Sequence, residues 1–248
     1  MFGVLLIHHL RAIIKMPNWW RKILPGGGLN LMPTLVLGLY LTGQLSLPVG
    51  LGLLVVTLGF FLISWGYLYR IFVDGLNGTE TLELPGWKDW RVYSQAGLWL
   101  FLIVLGYFFA TVVGLSALIS ILGITPDTQS TEDIGVLSFV LLLTLVFFYG
   151  FFPIVFMRFA AEGRVWAAFE PGPVWRDIKR IVRGEYIQTC FGLFGLSLLG
   201  NLVLSLIPYA GVVLASNFWF LMMVVFARIF GLMIRASLLP KEPPPSMN

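Results

Sequence analysis

LNLMPTLVLGLYLTGQLSLPVGLGLLVVTLGFFLISWGYLY, residues 29–69, is a stretch of 41 residues without a charged side chain. A helix that crosses a bilayer needs about 20 mostly apolar residues, so this stretch is long enough for two crossings. Pro48 and Gly50 interrupt it near its centre, which predicts a turn at Ser46–Gly50 between two spans. This stretch therefore predicts a helical hairpin within a membrane.

The composition of the whole chain supports the same interpretation. Of its 248 residues, 58% are hydrophobic and 11% are charged, whereas soluble domains carry about 25% charged residues. A soluble fold cannot keep so much apolar surface away from water. The single cysteine, Cys190, excludes an intrachain disulfide and is interpreted as a small apolar packing residue.

The apolar runs predict an all-α integral membrane protein with six transmembrane helices. These spans are expected at about 29–46, 49–70, 93–123, 135–157, 186–206 and 210–234. Together they form a predicted membrane domain over 17–237. Residues 1–16 place basic side chains on one helical face, which predicts an amphipathic interfacial helix. The proline-rich residues 238–248 are predicted to be disordered.

The positions of the charges give the chain an orientation. With six spans, all 16 lysines and arginines fall at one membrane face, while the other face carries Asp127, Glu132 and Asp133. Positive residues concentrate in cytoplasmic segments of membrane proteins. We therefore expect a cell-membrane protein with both termini in the cytoplasm.

A short motif recurs ahead of the outgoing spans. Pro85-Gly86-Trp87-Lys88-Asp89 returns 88 residues later as Pro173-Val174-Trp175-Arg176-Asp177, and a weaker copy begins at Pro17. The repetition predicts three parallel helical hairpins, each preceded by a cytoplasmic interfacial segment. Tryptophan favours the headgroup region and proline the first turn of a helix; the alternative is a ligand or catalytic loop. The expected interfacial anchors are Pro17, Trp19, Trp20, Pro85, Trp87, Trp90, Pro173 and Trp175.

The third copy continues as a basic helix, WRDIKRIVRGEY, residues 175–186. Its apolar side chains share one face, and a helix of this kind lies flat on an anionic membrane. The expected anionic-lipid contacts are Arg176, Lys179, Arg180 and Arg183. Because no nucleic-acid reader fold accompanies these charges, we expect no nucleic-acid partner.

Few polar groups occur inside the predicted spans. Asn201 and Asn217 are predicted to face each other across the last hairpin, either as an interhelical hydrogen bond or as a polar substrate site. Arg228 falls at the cytoplasmic end of its span, where snorkelling accounts for a charge. Gly106 and Gly114 belong to a ladder of small residues that predicts a close-packing helix face.

Three stretches resemble the family of prokaryotic multi-pass membrane proteins called domain of unknown function 4013. They are GYLYRIFVDGLNGTETLELPGWKDW (66–90), VWAAFEPGPVWRDIKRIVRGEY (165–186) and IPYAGVVLASNFWFLMMVVFARIFG (207–231). The resemblance covers roughly 18–235. It implies a membrane protein without an established activity and therefore supplies no catalytic residues. Family patterns often show an acidic residue after the motif tryptophan, where this chain has Lys88 and then Asp89.

Three functions remain open on the sequence. Since no catalytic motif or metal-ligand spacing occurs, we expect no enzyme activity, no cofactor and no metal. The favoured function is a scaffold or accessory component that engages anionic membrane lipid and a protein partner or a second copy of itself. One alternative is a small permease or exporter with a polar site near Asn201 and Asn217. The other is a lipid-acting enzyme that uses interfacial carboxylates such as Asp89 and Asp177.

Overall fold

The structure is a computed structural model of the chain and describes residues 2–79, 83–121, 149–208 and 210–239. These residues form helices and the segments between them, and no strand occurs among them. The helices are α1 (Phe2–Lys15), α2 (Trp19–Leu41), α3 (Leu47–Leu76), α4 (Trp90–Ile121), α5 (described over 149–162), α6 (Pro171–Ile181), α7 (Gly184–Ser205) and α8 (Gly211–Leu238). Short 3₁₀ turns at Trp87–Asp89 and Val165–Phe169 precede α4 and α6.

Five of the described helices, α2, α3, α4, α7 and α8, are long and apolar enough to cross a membrane. The prediction of an all-helical chain with several membrane-length apolar helices is therefore confirmed for the described residues. The fourth predicted span, 135–157, lies outside the described residues as far as 148, and its remainder lies in α5. Of the predicted tail, Leu238 is the last residue of α8, and 240–248 lie outside the described residues.

Helices α2 and α3 differ from the sequence expectation in two places, at the start of α2 and at the turn between them. Helix α2 begins at Trp19 rather than near residue 29, because the charged side chains of its first turns reach polar partners or water and do not end the helix. The turn occupies 42–46, and Pro48 lies in the first turn of α3. A proline there leaves no helix hydrogen bond unmade, so Pro48 starts a helix instead of marking the turn.

Helices α3 and α4 approach each other at the level of their backbones. A Cβ atom on Gly66 would overlap the carbonyl oxygen of Tyr93, and one on Gly97 would overlap that of Leu62. Lipid provides no hydrophobic driving force between helices, so association depends on van der Waals contact through small residues. The two glycines therefore hold this pair of helices together.

The small-residue ladder expected on α4 has a different role. Gly106 lies against the ring of Phe169, and an added Cβ on Gly114 would meet no atom within 4 Å. The spacing of small residues along one helix identified a candidate face but not its partner. The close contact between α3 and α4 instead uses one glycine from each helix, Gly66 and Gly97.

Helix α8 is the centre of the bundle. It packs against α2, α3 and α7, and most of its residues from Met222 to Ile234 are buried. Gly231 lies against Gly75 of α3, while Gly26 of α2 leaves the space that the Phe220 ring fills. Close approach to three neighbours is what excludes lipid from this helix.

We predict that Gly97→Ala destabilises the protein although alanine favours helices. The new methyl group would meet the Leu62 carbonyl, and overpacking of this kind costs about 1–3 kcal/mol. Gly59→Ala on α3 is the matched control, because nothing lies within 4 Å of its added Cβ. Thermal unfolding in detergent should give a lower midpoint for Gly97→Ala than for Gly59→Ala. Equal midpoints would contradict the close contact.

Candidate functional site

Residues 84–86 lead into α4, and their three backbone carbonyls face side chains of α2, α3 and α4. Each carbonyl oxygen of residues 84–86 accepts one hydrogen bond. The donors are Lys22 Nζ for Leu84, the Tyr67 hydroxyl for Pro85 at 3.2 Å, and the Tyr93 hydroxyl for Gly86 at 2.8 Å. An extended segment has no helical partners for these groups, so the three side chains satisfy it and fix its path.

Trp87 is packed inside this arrangement. Its ring stacks on Tyr67 with 4.2 Å between the centroids and 6° between the planes, and it lies 6.2 Å from the Phe220 ring of α8. Its Nε1 donates to the carbonyl oxygen of Lys22 at 3.0 Å. Since Lys22 also donates to Leu84, the two segments exchange hydrogen bonds in both directions. Sequence reasoning expected Trp87 to be an interfacial anchor, whereas the structure places it in contact with α2, α3 and α8.

Other tryptophans of the predicted anchors point outward, each beside a cation. Trp20, Trp90 and Trp175 are 46%, 51% and 57% exposed. The partners are Arg21 at 5.0 Å from the Trp20 ring, Arg91 at 5.5 Å from Trp90 and Lys179 at 5.3 Å from Trp175. A cation at this distance is attracted to the face of an indole ring. We call these three the tryptophan–cation pairs.

The remaining predicted anchors are more varied in their surroundings. Trp19 is partly buried and packs on the core. Pro17 is exposed, whereas Pro85 and Pro173 are half-buried. The short motif therefore contributes both packed and exposed residues, and the pattern alone does not separate them.

Contacts between helix ends bring the three pairs to one end of the bundle. The start of α2 meets residue 84 through Lys22. Arg158 of α5 binds Asp177 of α6 at 3.0 Å, and Arg180 of α6 donates to the carbonyl of Leu238 in α8 at 2.6 Å. Arg235 of α8 donates a hydrogen bond to the carbonyl of Asn77, which directly follows α3. The starts of α2 and α4, the ends of α3, α5 and α8, and α6 thus share one surface, which we call the basic end.

Helix α6 rests on the protein with its apolar face. Val174 and Ile181 are buried. Ile178 packs against two groups of buried side chains, one that includes Phe230 and one that includes Val155. Of the apolar residues expected to share this face, Ile181 is buried and Ile178 and Val182 are partly buried, whereas Trp175 is 57% exposed. The Arg158–Asp177 ion pair also links α6 to α5.

The outward side of α6 carries the predicted lipid contacts. Arg176, Lys179, Arg180 and Arg183 are all exposed. Arg180 differs from the others because its guanidinium donates to the carbonyls of Ser237 and Leu238. It ties α6 to α8, and three cations remain directed toward the surroundings.

Most interfacial carboxylates near α6 are held in ion pairs. Arg158 binds Glu162 at 2.6 Å as well as Asp177. Arg164 binds Glu162 at 2.5 Å and approaches Glu170 at 3.7 Å. Removing one member of such a network leaves a partly buried charge without its partner. These carboxylates stabilise the junction of α5 and α6.

The two asparagines expected to pair do not contact each other. Asn201 Nδ2 donates to the carbonyl of Ser197, and Asn217 Nδ2 donates to that of Val213, both at 2.8 Å. A short polar side chain in a helix can satisfy itself on the carbonyl four residues earlier. The interhelical bonds in this region are Asn30 Nδ2 to Ser64 Oγ at 2.9 Å and Ser216 Oγ to the carbonyl of Gly27 at 2.7 Å.

A cavity of about 490 Å³ lies among α2, α3, α7 and α8. Its polar lining comes from Asn30, Thr34, Asn201, Ser205 and Ser216, and the remaining wall is apolar. Asn201 therefore lines a cavity, as the polar-site alternative requires, whereas Asn217 is not among the lining residues.

Arg228 is a buried charge that sequence reasoning placed at a helix end. It is 2% exposed, and its Nη1 donates to Thr79 Oγ1 at 2.9 Å while Nη2 donates to the Thr79 carbonyl. Snorkelling does not describe this position. A signal was present in the sequence: Arg228 and Arg235 are seven residues apart, about two helical turns, so they share a face within an apolar run.

The protein family known by the description "protein of unknown function (DUF4013)" matches residues 49–209. The chain belongs to the DUF4013 family. The resemblance seen in the sequence is thus confirmed, over a shorter range than 18–235. No curated protein and no solved structure matches the chain.

The DUF4013 match includes α3 from residue 49 onward and the segment around Trp87, but not every residue that contacts that segment. Tyr67 and Tyr93 lie within the matched range. Lys22 of α2 and Phe220 of α8 lie outside it. The packing of the DUF4013 region in this chain therefore depends on helices that flank it on both sides.

We predict that Trp87→Phe lowers stability although it keeps an aromatic ring. The change removes the hydrogen bond to the Lys22 carbonyl and part of the indole packing, and the net loss of one hydrogen bond costs about 0.5–1.5 kcal/mol. Trp175→Phe, at a 57% exposed position, is the control and should change stability by no more than about 0.5 kcal/mol. Thermal unfolding in detergent compares the two. A Trp87→Phe midpoint as high as that of the control would argue against the packed role.

Proposed function

We propose that this DUF4013 protein is a non-enzymatic scaffold or accessory component of the cell membrane. In this proposal its basic end engages anionic lipid headgroups and holds a protein partner or a second copy of the chain. The observation that carries the proposal is the set of three tryptophan–cation pairs at that end. Indole rings prefer the headgroup region, and each cation near an anionic surface adds about 1 kcal/mol of attraction.

The proposal includes a six-span topology with three hairpins and cytoplasmic termini. Helices α2 and α3 are joined by the turn at 42–46, and α7 and α8 by residues 206–210. Both connections lie at the ends of these helices opposite the basic end. The positive-inside rule assigns the basic end to the cytoplasm, where anionic lipids give the membrane surface its negative potential.

A large exposed aromatic residue supports a partner surface at the same end. Trp166, in the turn between α5 and α6, is 78% exposed. Tryptophan is enriched at protein interfaces because it buries a large area at low cost in conformational entropy. Lipid and protein contacts are therefore proposed side by side on this surface.

We predict that anionic lipid slows hydrogen exchange in α6. The full-length protein would be compared in nanodiscs of phosphatidylglycerol and of phosphatidylcholine, with exchange followed for peptides covering 171–183. Changing Arg176, Lys179 and Arg183 to Gln should abolish the difference, because those cations point outward. Arg180 is left intact, since it holds α6 to α8.

The matched control keeps every charge by changing Arg176→Lys, Lys179→Arg and Arg183→Lys. This variant should retain the slower exchange in anionic nanodiscs. The same exchange of the unchanged protein in both lipids would rule out headgroup contact by α6.

A second function, a small permease or exporter, is favoured by the cavity beside Asn201. Its volume of about 490 Å³ falls within the range of about 300–1,000 Å³ that small-molecule sites occupy. The mixture of polar and apolar side chains in its wall would suit a small polar solute.

We predict that Asn201→Cys, in a Cys190→Ser background, reacts with a membrane-impermeant maleimide if water enters this cavity. Leu199→Cys is the control, because Leu199 is 62% exposed on the same helix but does not line the cavity. Labelling is measured by mass spectrometry on protein in liposomes. Reaction at position 201 without reaction at 199 would support the permease, and no reaction at 201 would remove its support.

A further inference from the structure

We propose that a second cavity, at the basic end, binds a phosphate group, carried by an anionic lipid headgroup or by a free phosphate. The cavity lies between α1, α8 and the residues that follow α3, and has a volume of about 520 Å³. Its polar lining residues are His8, His9, Thr79, Arg228 and Arg235. The site does not include α6 and goes beyond the lipid contact proposed above.

The buried arginine is the first reason to expect an anion. Arg228 is 2% exposed, and among the described residues its guanidinium donates hydrogen bonds to Thr79, through both Nη atoms. Its Nε has no hydrogen-bond partner among the described residues. Burial of a charge is costly unless an opposite charge accompanies it. The carboxylate of Asp74 attracts Arg228 electrostatically, but Asp74 forms its ion pair with Arg70.

The second arginine is held by a backbone shaped around it. Gly78 has φ +70°, and a side chain there would overlap the Arg235 guanidinium. Arg235 Nη1 also donates to the carbonyl of Asn77 at 2.5 Å. The three residues 77–79 thus position both arginines, one through Asn77 and one through Thr79. The guanidinium of Arg235 can donate to the oxygen atoms of a phosphate, and the buried Arg228 adds a second positive charge to the same wall.

His9 adds hydrogen-bonding capacity without adding charge. Burial, with help from His8 and Arg228, lowers the pKa of His9 to about 4, so its ring is neutral at pH 7. A neutral imidazole can donate one hydrogen bond and accept another. The described lining residues include no carboxylate, and they include two arginines, Arg228 and Arg235.

The depth of the cavity agrees with a headgroup. Arg228 is seventeen residues after the start of α8 at Gly211, which is about 26 Å along the helix axis. The hydrocarbon core of a bilayer is about 30 Å thick. With Gly211 at the opposite boundary of the hydrocarbon core, the cavity lies near the level at which phosphates of the membrane surface occur.

The test uses the full-length protein in a mild detergent and native mass spectrometry. Phosphatidylglycerol, phosphatidylcholine and inorganic phosphate are added separately. We expect one tightly retained phosphatidylglycerol or phosphate per chain and weaker retention of phosphatidylcholine. Arg235→Gln should weaken retention about tenfold or more, as expected for the loss of one charge-assisted hydrogen bond.

Two further variants separate binding from folding. His8→Ala removes an exposed lining residue and should weaken retention while leaving the thermal unfolding midpoint unchanged. Lys88→Gln removes one positive charge, as Arg235→Gln does, at an exposed position outside the cavity and should leave retention intact. Retention of free phosphate identifies a phosphate site, whereas retention of phosphatidylglycerol alone identifies a headgroup site.

The variant with neutral Arg176, Lys179 and Arg183 distinguishes this site from α6. It should keep the single retained molecule, even if its exchange in nanodiscs no longer responds to anionic lipid. Absence of a retained anion, or retention that neither Arg235→Gln nor His8→Ala weakens, would overturn the proposal.

Discussion

Close backbone approach along α3 is the constraint on which the rest of the bundle depends. Gly66 meets α4 and Gly75 meets α8, so one helix sets the positions of two others. In a bilayer, lipid solvates apolar side chains as well as a neighbouring helix does, and only close fit favours association. The aromatic stack around Trp87 and the cavity at Arg228 both lie where these helices converge.

The two kinds of tryptophan at the basic end follow from the same geometry. Trp87 precedes α4 at the point where α2, α3 and α8 converge. Its ring is therefore partly buried, and its N–H donates to the backbone carbonyl of Lys22. Trp90 lies three residues later on the outer side and is exposed. A single short motif thus supplies one residue that fixes the helices and another that faces the surroundings.

Much of the fold could be predicted from the sequence because a helix that crosses a bilayer must be long and mostly apolar. Both properties can be recognised in the order of the residues. The apolar run at 29–69 was sufficient to predict two long apolar helices, which the structure shows as α2 and α3. Pairwise contacts were harder to predict. Asn201 satisfied itself on its own helix, and apolar periodicity could not distinguish this outcome from a bond to Asn217. The burial of Arg228 depends on Thr79, which is distant in sequence, and only the packing of α3 on α8 brings the two together.

The central position of α8 has a consequence for biosynthesis. Every other described helix leaves the ribosome before α8, yet α2, α3 and α7 all use it as a packing partner. The earlier helices can enter the bilayer on their own hydrophobicity, but their final arrangement requires a helix that is made after them. Assembly is therefore completed after insertion, and until then Ser216, the partner of the Gly27 carbonyl, is absent and α2 lacks its contacts with α8.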